Sequence, residues 1–226
     1  MAIDKAILKR AAQVMFGLVL MIVVFFVSAG RLDIPRAWFL YGLTFIQLTS
    51  NIVIFYKLAP EIMRERSEIK PGVKAWDIAF SIGYFISAYA IHAVAGLDLG
   101  RFNWSYLGME YFFLGVVFFV ISAAIIAWAM IANRFFETTV TVVKGHQVIS
   151  KGPYAYVRHP GYVGFILMYS SSCLILGSAV SLIPAAILAI LFVGRTYMED
   201  ETLQKELDGY AEYTKKVGYR LVPGIW

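Results

Sequence analysis

Apolar positions in this chain come in long blocks, separated by short polar runs. Ala11 to Ala29 is apolar apart from Gln13 and Ser28. At about 1.5 Å per residue it reaches roughly 28 Å, close to the thickness of a bilayer's hydrocarbon. Ala37 to Tyr56 forms a second block, with Gln47 and Asn51 its strongly polar members. Trp76 to Ala95 forms a third, with His92 near one end, and Leu107 to Ile131 a fourth. After a polar stretch come two further segments, Gly161 to Leu176 and Val180 to Val193. The Gly177-Ser178 junction between them leaves room only for a tight turn. The pattern predicts six spans, the last two a helical hairpin whose second arm is kinked at Pro184.

The polar runs carry their own expectations. Residues 57–75 form a charged connector with two prolines and a short interfacial helix. The β-branched run Thr138 to Val143 reads as extended. Residues 195–216 continue the sixth segment as a charged amphipathic helix, with Leu203, Leu207 and Tyr210 at helical spacing. Asp33, Asp98 and Glu110 fall at span ends and read as solvated. Val27-Ser28-Ala29 resembles a signal cleavage site, but the apolar block before it is long for a signal peptide, so a retained span is expected. The fold class is therefore an all-α integral membrane protein, with a four-span scaffold over residues 1–131 and a functional region over residues 132–226.

Composition agrees. The 226 residues are 60% hydrophobic and 15% charged, where a soluble domain carries about 25% charged residues. The net charge of +5 raises nucleic-acid binding, and its distribution argues against it. With the N-terminus inside, every Lys and Arg except Arg31, Arg36 and Arg101 falls on one side of a six-span bundle. That asymmetry puts both termini and the polar stretch 144–160 in the cytoplasm. The cations then face anionic lipid head groups. The single cysteine, Cys173, lies in an apolar segment and reads as a small buried hydrophobe. Three scattered histidines with no close Cys or His spacing argue against a metal site.

Chemistry concentrates in KGHQVISKGPYAYVRHPGYVG, from Lys144 to Gly164. The hairpin brings Arg158-His159 back to the depth of Arg195 and Glu199, which share a helix face at a spacing of four. Two arginines, an imidazole, tyrosines and carboxylates at one membrane mouth suit a zwitterionic small molecule such as S-adenosylmethionine. Arg would pair with its carboxylate, and tyrosine rings would face its sulfonium. The same residues equally suit a belt of snorkelling cations and interfacial tyrosines.

The motif narrows the choice. G-x-x-x-x-x-G-P-Y-x-Y-x-R-H-P-x-Y-x-G from Gly145 to Gly164 resembles the signature of the isoprenylcysteine carboxyl methyltransferase family, itself similar to the phospholipid N-methyltransferases. The downstream elements are similar too: Arg195, Glu199, Asp200 and Leu203, then Glu206 to Tyr213, then Tyr219 to Trp226. The resemblance implies methyl transfer from S-adenosylmethionine at the cytoplasmic membrane face. The acceptor would be a lipid or prenylated molecule carrying a carboxylate or an amine. It implies a cofactor site made by His146, Val148, Ile149, Gly152, Tyr154, Tyr156, Arg158, His159, Pro160, Tyr162 and Glu199. Arg195, Glu199 and Asp200 would be catalytic, with Asp200 standing where the family usually has a second Glu. Two other functions remain open: a sterol-reductase-like enzyme using NADPH, and a non-catalytic membrane scaffold. A reductase would call for a longer chain with more cations for the extra phosphate.

Overall fold

The computed structural model describes residues 4–67, 72–142 and 145–226. Among these residues the regular structure is helical and contains no strand. Helix α1 (Lys5–Ala29) starts where the Asp4 carboxylate accepts the Ala6 amide at 2.9 Å, an N-cap that satisfies one of the orphan donors of the first turn. It leads into α2 (Pro35–Leu58) and the short α3 (Pro60–Glu65). Helix α4 (Ala75–Leu97) runs on through a π-helical turn, Asp98–Phe102. Helix α5 (Met109–Ala132) follows, then α6 (Pro160–Leu176), α7 (Leu182–Glu206) and α8 (Tyr210–Lys216).

Five helices are long and apolar enough to cross a membrane: α1, α2, α4 with its π turn, α5 and α7. The predicted fifth segment is α6, an apolar helix of 17 residues. At about 1.5 Å per residue it spans roughly 26 Å, a little short of the hydrocarbon thickness. It still turns back on α7 through Gly177–Ser181 as the expected hairpin.

Lipid tails are as apolar as leucine, so apolar burial alone does not hold such helices together; close packing and polar contacts do. Helix α5 packs most extensively on α6. A Cβ at Gly115 would stand 2.9 Å from the Ile175 backbone nitrogen, so only glycine lets the two backbones come this close. Tyr41 Oη lies 3.0 Å from His92 Nδ1 between α2 and α4. Tyr84 and Tyr169 hydroxyls meet at 2.6 Å between α4 and α6. His92, which from its place near a span end reads as an interfacial or hydrogen-bonded side chain, is the latter, a buried interhelical partner. Cys173 is buried as expected.

Four local expectations change. Helix α7 begins at Leu182, so Pro184 stands in its first turn, where the missing N–H has no intrahelical acceptor to lose and no kink follows. The amphipathic helix 195–216 is broken after Glu206, because Gly209 takes φ +81° and reverses the chain into α8. Residues 138–142 are irregular rather than extended in a strand; Val143 and Lys144 lie outside the described residues, as does Pro71 of the connector. Asp98 is not solvated. It is fully buried and accepts from Ser105 N at 2.8 Å, Ser105 Oγ at 2.5 Å and Ser178 Oγ at 2.6 Å. This knot ties the loop after α4 to the α6–α7 turn.

The bundle has two chemically distinct ends. At one, Arg36 donates to the Leu107 carbonyl and Arg101 to the Ser28 carbonyl, and the Asp98 knot closes the loops. At the other, Arg64 meets Asp4, Lys74 meets Glu206, and α6 and α7 present their polar termini.

Candidate functional site

The polar end holds a cleft with about 760 Å³ of empty space out to its mouth. Its walls come from residues 133–141 and 146–149, the start of α6, the last turns of α7, and α8. Pro160 at the first helical position of α6 sets the entry angle of the chain, since its fixed φ is already helical. That places His159 and Tyr162 one turn apart with rings stacked at 5.5 Å. The Tyr162 hydroxyl donates to Glu199 Oε2, and His159 Nδ1 lies 3.9 Å from Glu199 Oε1. The expected return of the hairpin to one depth is thus a direct α6–α7 contact.

Arg195 is buried on the same wall. Its Nη2 donates to the Thr138 carbonyl at 2.9 Å and lies 3.2 Å from Asp77 Oδ1. Its guanidinium stands over the Phe80 ring at 4.3 Å and the Tyr162 ring at 5.5 Å. Its Nε makes no hydrogen bond and lies 3.8 Å from Glu199 Oε2. A buried cationic N–H without a partner is costly; this Nε is enclosed, and the Glu199 carboxylate is the anion beside it.

Asp200 occupies a different layer, behind the wall, and Arg158 reaches back to it from the cleft. Asp200 is fully buried and lines no part of the cleft wall. It accepts from Arg158 Nε at 2.8 Å, Arg158 Nη2 at 3.0 Å, Arg220 Nε at 2.9 Å and Tyr210 Oη at 2.9 Å. Arg158 Nη1 donates to the Val217 carbonyl at 2.8 Å. The Arg158 and His159 amides donate to the Tyr219 and Arg220 carbonyls. Thus Asp200 and Arg158 together bind the C-terminal segment onto α6 and α7.

The other sequence-nominated residues divide between wall and support. His146, Val148, Ile149 and Tyr154 line the cleft, together with Arg158, His159, Tyr162, Arg195 and Glu199. His146 stacks on Phe135 at 4.3 Å. Gly152 stands behind the wall, where a Cβ would approach Trp128 Nε1 at 3.1 Å. Tyr156 faces outward and is exposed, and Pro160 is buried off the wall.

Some lining residues escaped the sequence reading. Phe135 and Phe136 line the cleft and were not singled out from the sequence, nor was Asp77, which stands behind the wall against Arg195. Tyr210 and Tyr213 lie in the quoted tail motif, which was the available signal. Tyr213 Oη donates to the Tyr154 carbonyl at 2.7 Å, and Asn133 Nδ2 to Tyr154 Oη at 3.3 Å. Burial pushes the Tyr154, Tyr210 and Tyr213 phenols above their ordinary pKa, and the Asp200 charge adds to the effect at Tyr210. All three stay protonated donors at neutral pH. The cleft therefore combines aromatic faces, the Glu137 and Glu199 carboxylates, and the Arg195 guanidinium, whose Nε lacks a hydrogen bond.

Comparison with known sequences bears on what such a cleft does. The model of the isoprenylcysteine carboxyl methyltransferase (ICMT) family matches residues 114–205. The chain is similar to Protein-S-isoprenylcysteine O-methyltransferase of Schizosaccharomyces pombe, 39% identical over 84 residues, 35% of this chain and 36% of that protein. That match spans little more than a third of the yeast protein's length. It is also similar to Uncharacterized protein YpbQ of Bacillus subtilis, 30% identical over 172 residues, 74% of this chain and 96% of that one.

Proposed function

Because the chain belongs to the isoprenylcysteine carboxyl methyltransferase family, we propose that it is a membrane methyltransferase that uses S-adenosylmethionine to esterify a lipid-borne carboxylate of the isoprenylcysteine kind. The observation that carries this reading is Arg195: a buried guanidinium with an unsatisfied Nε beside Glu199 at the wall of an aromatic cleft.

The residues fit the cofactor. Glu199 is only half-buried and offers a carboxylate to its ammonium group. The Tyr162 ring and the Phe135–Phe136 wall offer faces to a flat base and to a sulfonium. When bound, S-adenosylmethionine supplies a methyl group already activated on sulfur. Arg195 Nε would orient the acceptor carboxylate, which is ionised at neutral pH and needs no general base. A buried Arg195 stacked on Phe80 and Tyr162 keeps water from that edge, so its charge acts in a medium of lower dielectric. The protein's contribution is alignment of two bound groups in a dry site, the effect that raises effective concentration most strongly. An amine acceptor would need a base; Asp200, tied to Arg158, Arg220 and Tyr210, is not free to act as one.

The cytoplasmic face is part of the same proposal. The cleft end carries nearly all the cations, and Arg31, Arg36 and Arg101 lie toward the other end.

The test is calorimetric binding of S-adenosylhomocysteine to the detergent-purified protein, with NADPH as control. Radiolabelled methyl transfer to S-farnesyl-N-acetylcysteine and to an aminophospholipid follows. Base-labile label on the farnesyl compound is expected. Binding of NADPH in place of S-adenosylhomocysteine would move the site to a reductase, and stable label on the amine would move the acceptor class.

A further inference from the structure

Asp77 is not used by the cofactor assignment and lies outside residues 114–205. It sits on the first turn of α4, fully buried. Its Oδ2 accepts the Val140 amide at 2.7 Å, and its Oδ1 stands 3.2 Å from Arg195 Nη2. The same Nη2 donates to the Thr138 carbonyl. One carboxylate therefore joins α4, α7 and the segment whose Thr139, Val140 and Thr141 form part of the cleft wall. We propose that Asp77 is a positioning residue, which clasps this wall and fixes the orientation in which Arg195 meets the acceptor.

The physical reason is the competition around Arg195. Two carboxylates flank the guanidinium: Asp77 on the Nη2 side, and Glu199 at 3.8 Å from Nε. Neither makes a well-formed ion-pair hydrogen bond with it, since Asp77 Oδ1 and Arg195 Nε both lack hydrogen-bond partners. Asp77 and the Thr138 carbonyl hold Nη2, so the guanidinium cannot swing fully onto Glu199. Nε is left without a hydrogen bond, and the Glu199 carboxylate stays on the cleft wall for a ligand. Without the Asp77 charge, Arg195 closes on Glu199, and both groups are withdrawn from the cleft. The clasp is a matter of structure alone; the effect on the acceptor rests on the methyltransferase reading.

Two variants separate these parts. Asp77→Asn keeps an oxygen for the Val140 amide and removes the charge. The expected result is a KM for S-farnesyl-N-acetylcysteine raised tenfold or more, a smaller fall in kcat, and S-adenosylhomocysteine affinity within threefold of wild type. Asp77→Ala removes both bonds. Amide hydrogen exchange across residues 138–142 should then speed up at least tenfold in ligand-free protein, and S-adenosylhomocysteine affinity should fall by a similar factor. If Asp77→Asn does not fold, the pair Asp77→Asn/Arg195→Gln removes both charges of the Asp77–Arg195 contact and leaves only the partly exposed Glu199 without its cation. With the Val140 bond kept, it should show slower exchange at 138–142 than Asp77→Ala, and near-wild-type S-adenosylhomocysteine binding. Unchanged exchange in Asp77→Ala overturns the clasp, whatever the enzyme does. An unchanged acceptor KM in Asp77→Asn, or lost cofactor binding in the double variant, overturns the positioning role. Failure of wild-type protein to bind S-adenosylhomocysteine would count against the methyltransferase reading and leave the exchange result to decide the clasp.

Discussion

Arg158 and Asp200 form a two-pronged ion pair, Nε to Oδ1 at 2.8 Å and Nη2 to Oδ2 at 3.0 Å, in the buried layer between α6, α7 and the C-terminal segment. The sequence motif nominates both as site residues. Their side chains face each other, with Arg220 and Tyr210 completing the shell around Asp200. Removing one partner of such a pair leaves a desolvated charge, which costs about 3–5 kcal/mol. Arg158→Ala should destabilise the detergent-solubilised protein by about 3 kcal/mol, since Arg220 remains for Asp200, and Asp200→Ala by about 3–5 kcal/mol, since it strands both arginines. The double variant should lose less than the two single losses together, by about 1–3 kcal/mol. Chemical unfolding followed by tryptophan fluorescence reads this out, and additive losses would refute the pairing.

Glu199 is expected to act on ligand rather than on fold. It is partly open to the cleft and held by the Tyr162 hydroxyl. Glu199→Gln keeps the shape and removes the charge. S-adenosylhomocysteine affinity should drop tenfold or more, about 1.4 kcal/mol, with the unfolding midpoint nearly unchanged. Tyr162→Phe should give a smaller loss in the same direction. Calorimetry on both variants decides, and full affinity in Glu199→Gln would remove it from the cofactor site.

Asp98 makes the opposite prediction. Its carboxylate is fully buried at the far end of the bundle and accepts from both Ser105 and Ser178. Asp98→Ala would strand these donors and loosen the α6–α7 turn, at a cost of about 3 kcal/mol. Cofactor affinity per folded molecule should not change, because the cleft lies at the other end. A lowered melting temperature with wild-type calorimetry is the expected pair of results.

The tyrosines around the cleft give a pH dependence. Burial raises the phenol pKa of Tyr154, Tyr210 and Tyr213 above the ordinary value of about 10. The fold thus favours the protonated form. This contribution to stability is complete below the unfolded phenol pKa and is lost as pH rises above it. Phenolate absorbance and a fold probe such as circular dichroism, followed together as pH rises, read this out. The three buried phenols should ionise only together with unfolding. Free titration of all tyrosines in the native protein would contradict their burial.

Much of the architecture was legible because a bilayer imposes a coarse rule on sequence. A helix that crosses it must be apolar over nearly its whole length, so four of the span segments read directly from composition, and the hairpin from two short blocks with almost nothing between them. Cation placement also carries far, since charge in loops stays visible in one dimension. The motif around Arg158 and His159 pointed to the end that holds the cleft for the same reason: its residues are contiguous. The individual roles were not contiguous. Whether an acid at a span end is solvated, as Asp33 is, or fully buried, as Asp98 is, depends on donors 7 and 80 positions away. The break at Gly209 turns on a single backbone angle that competes with an otherwise helical pattern.

The sequence by itself therefore determined a helical membrane protein, whose residues 114–205 match the isoprenylcysteine carboxyl methyltransferase family model. Only the tertiary structure decided which charges lie on the cleft wall and which hold it. Arg158 and Arg195 look alike along the chain. One is saturated by Asp200 and backbone carbonyls, and the other keeps a donor without a hydrogen bond between Asp77 and Glu199. A charge's availability is set by the partners that reach it through space, and those partners come from helices more than a hundred residues apart.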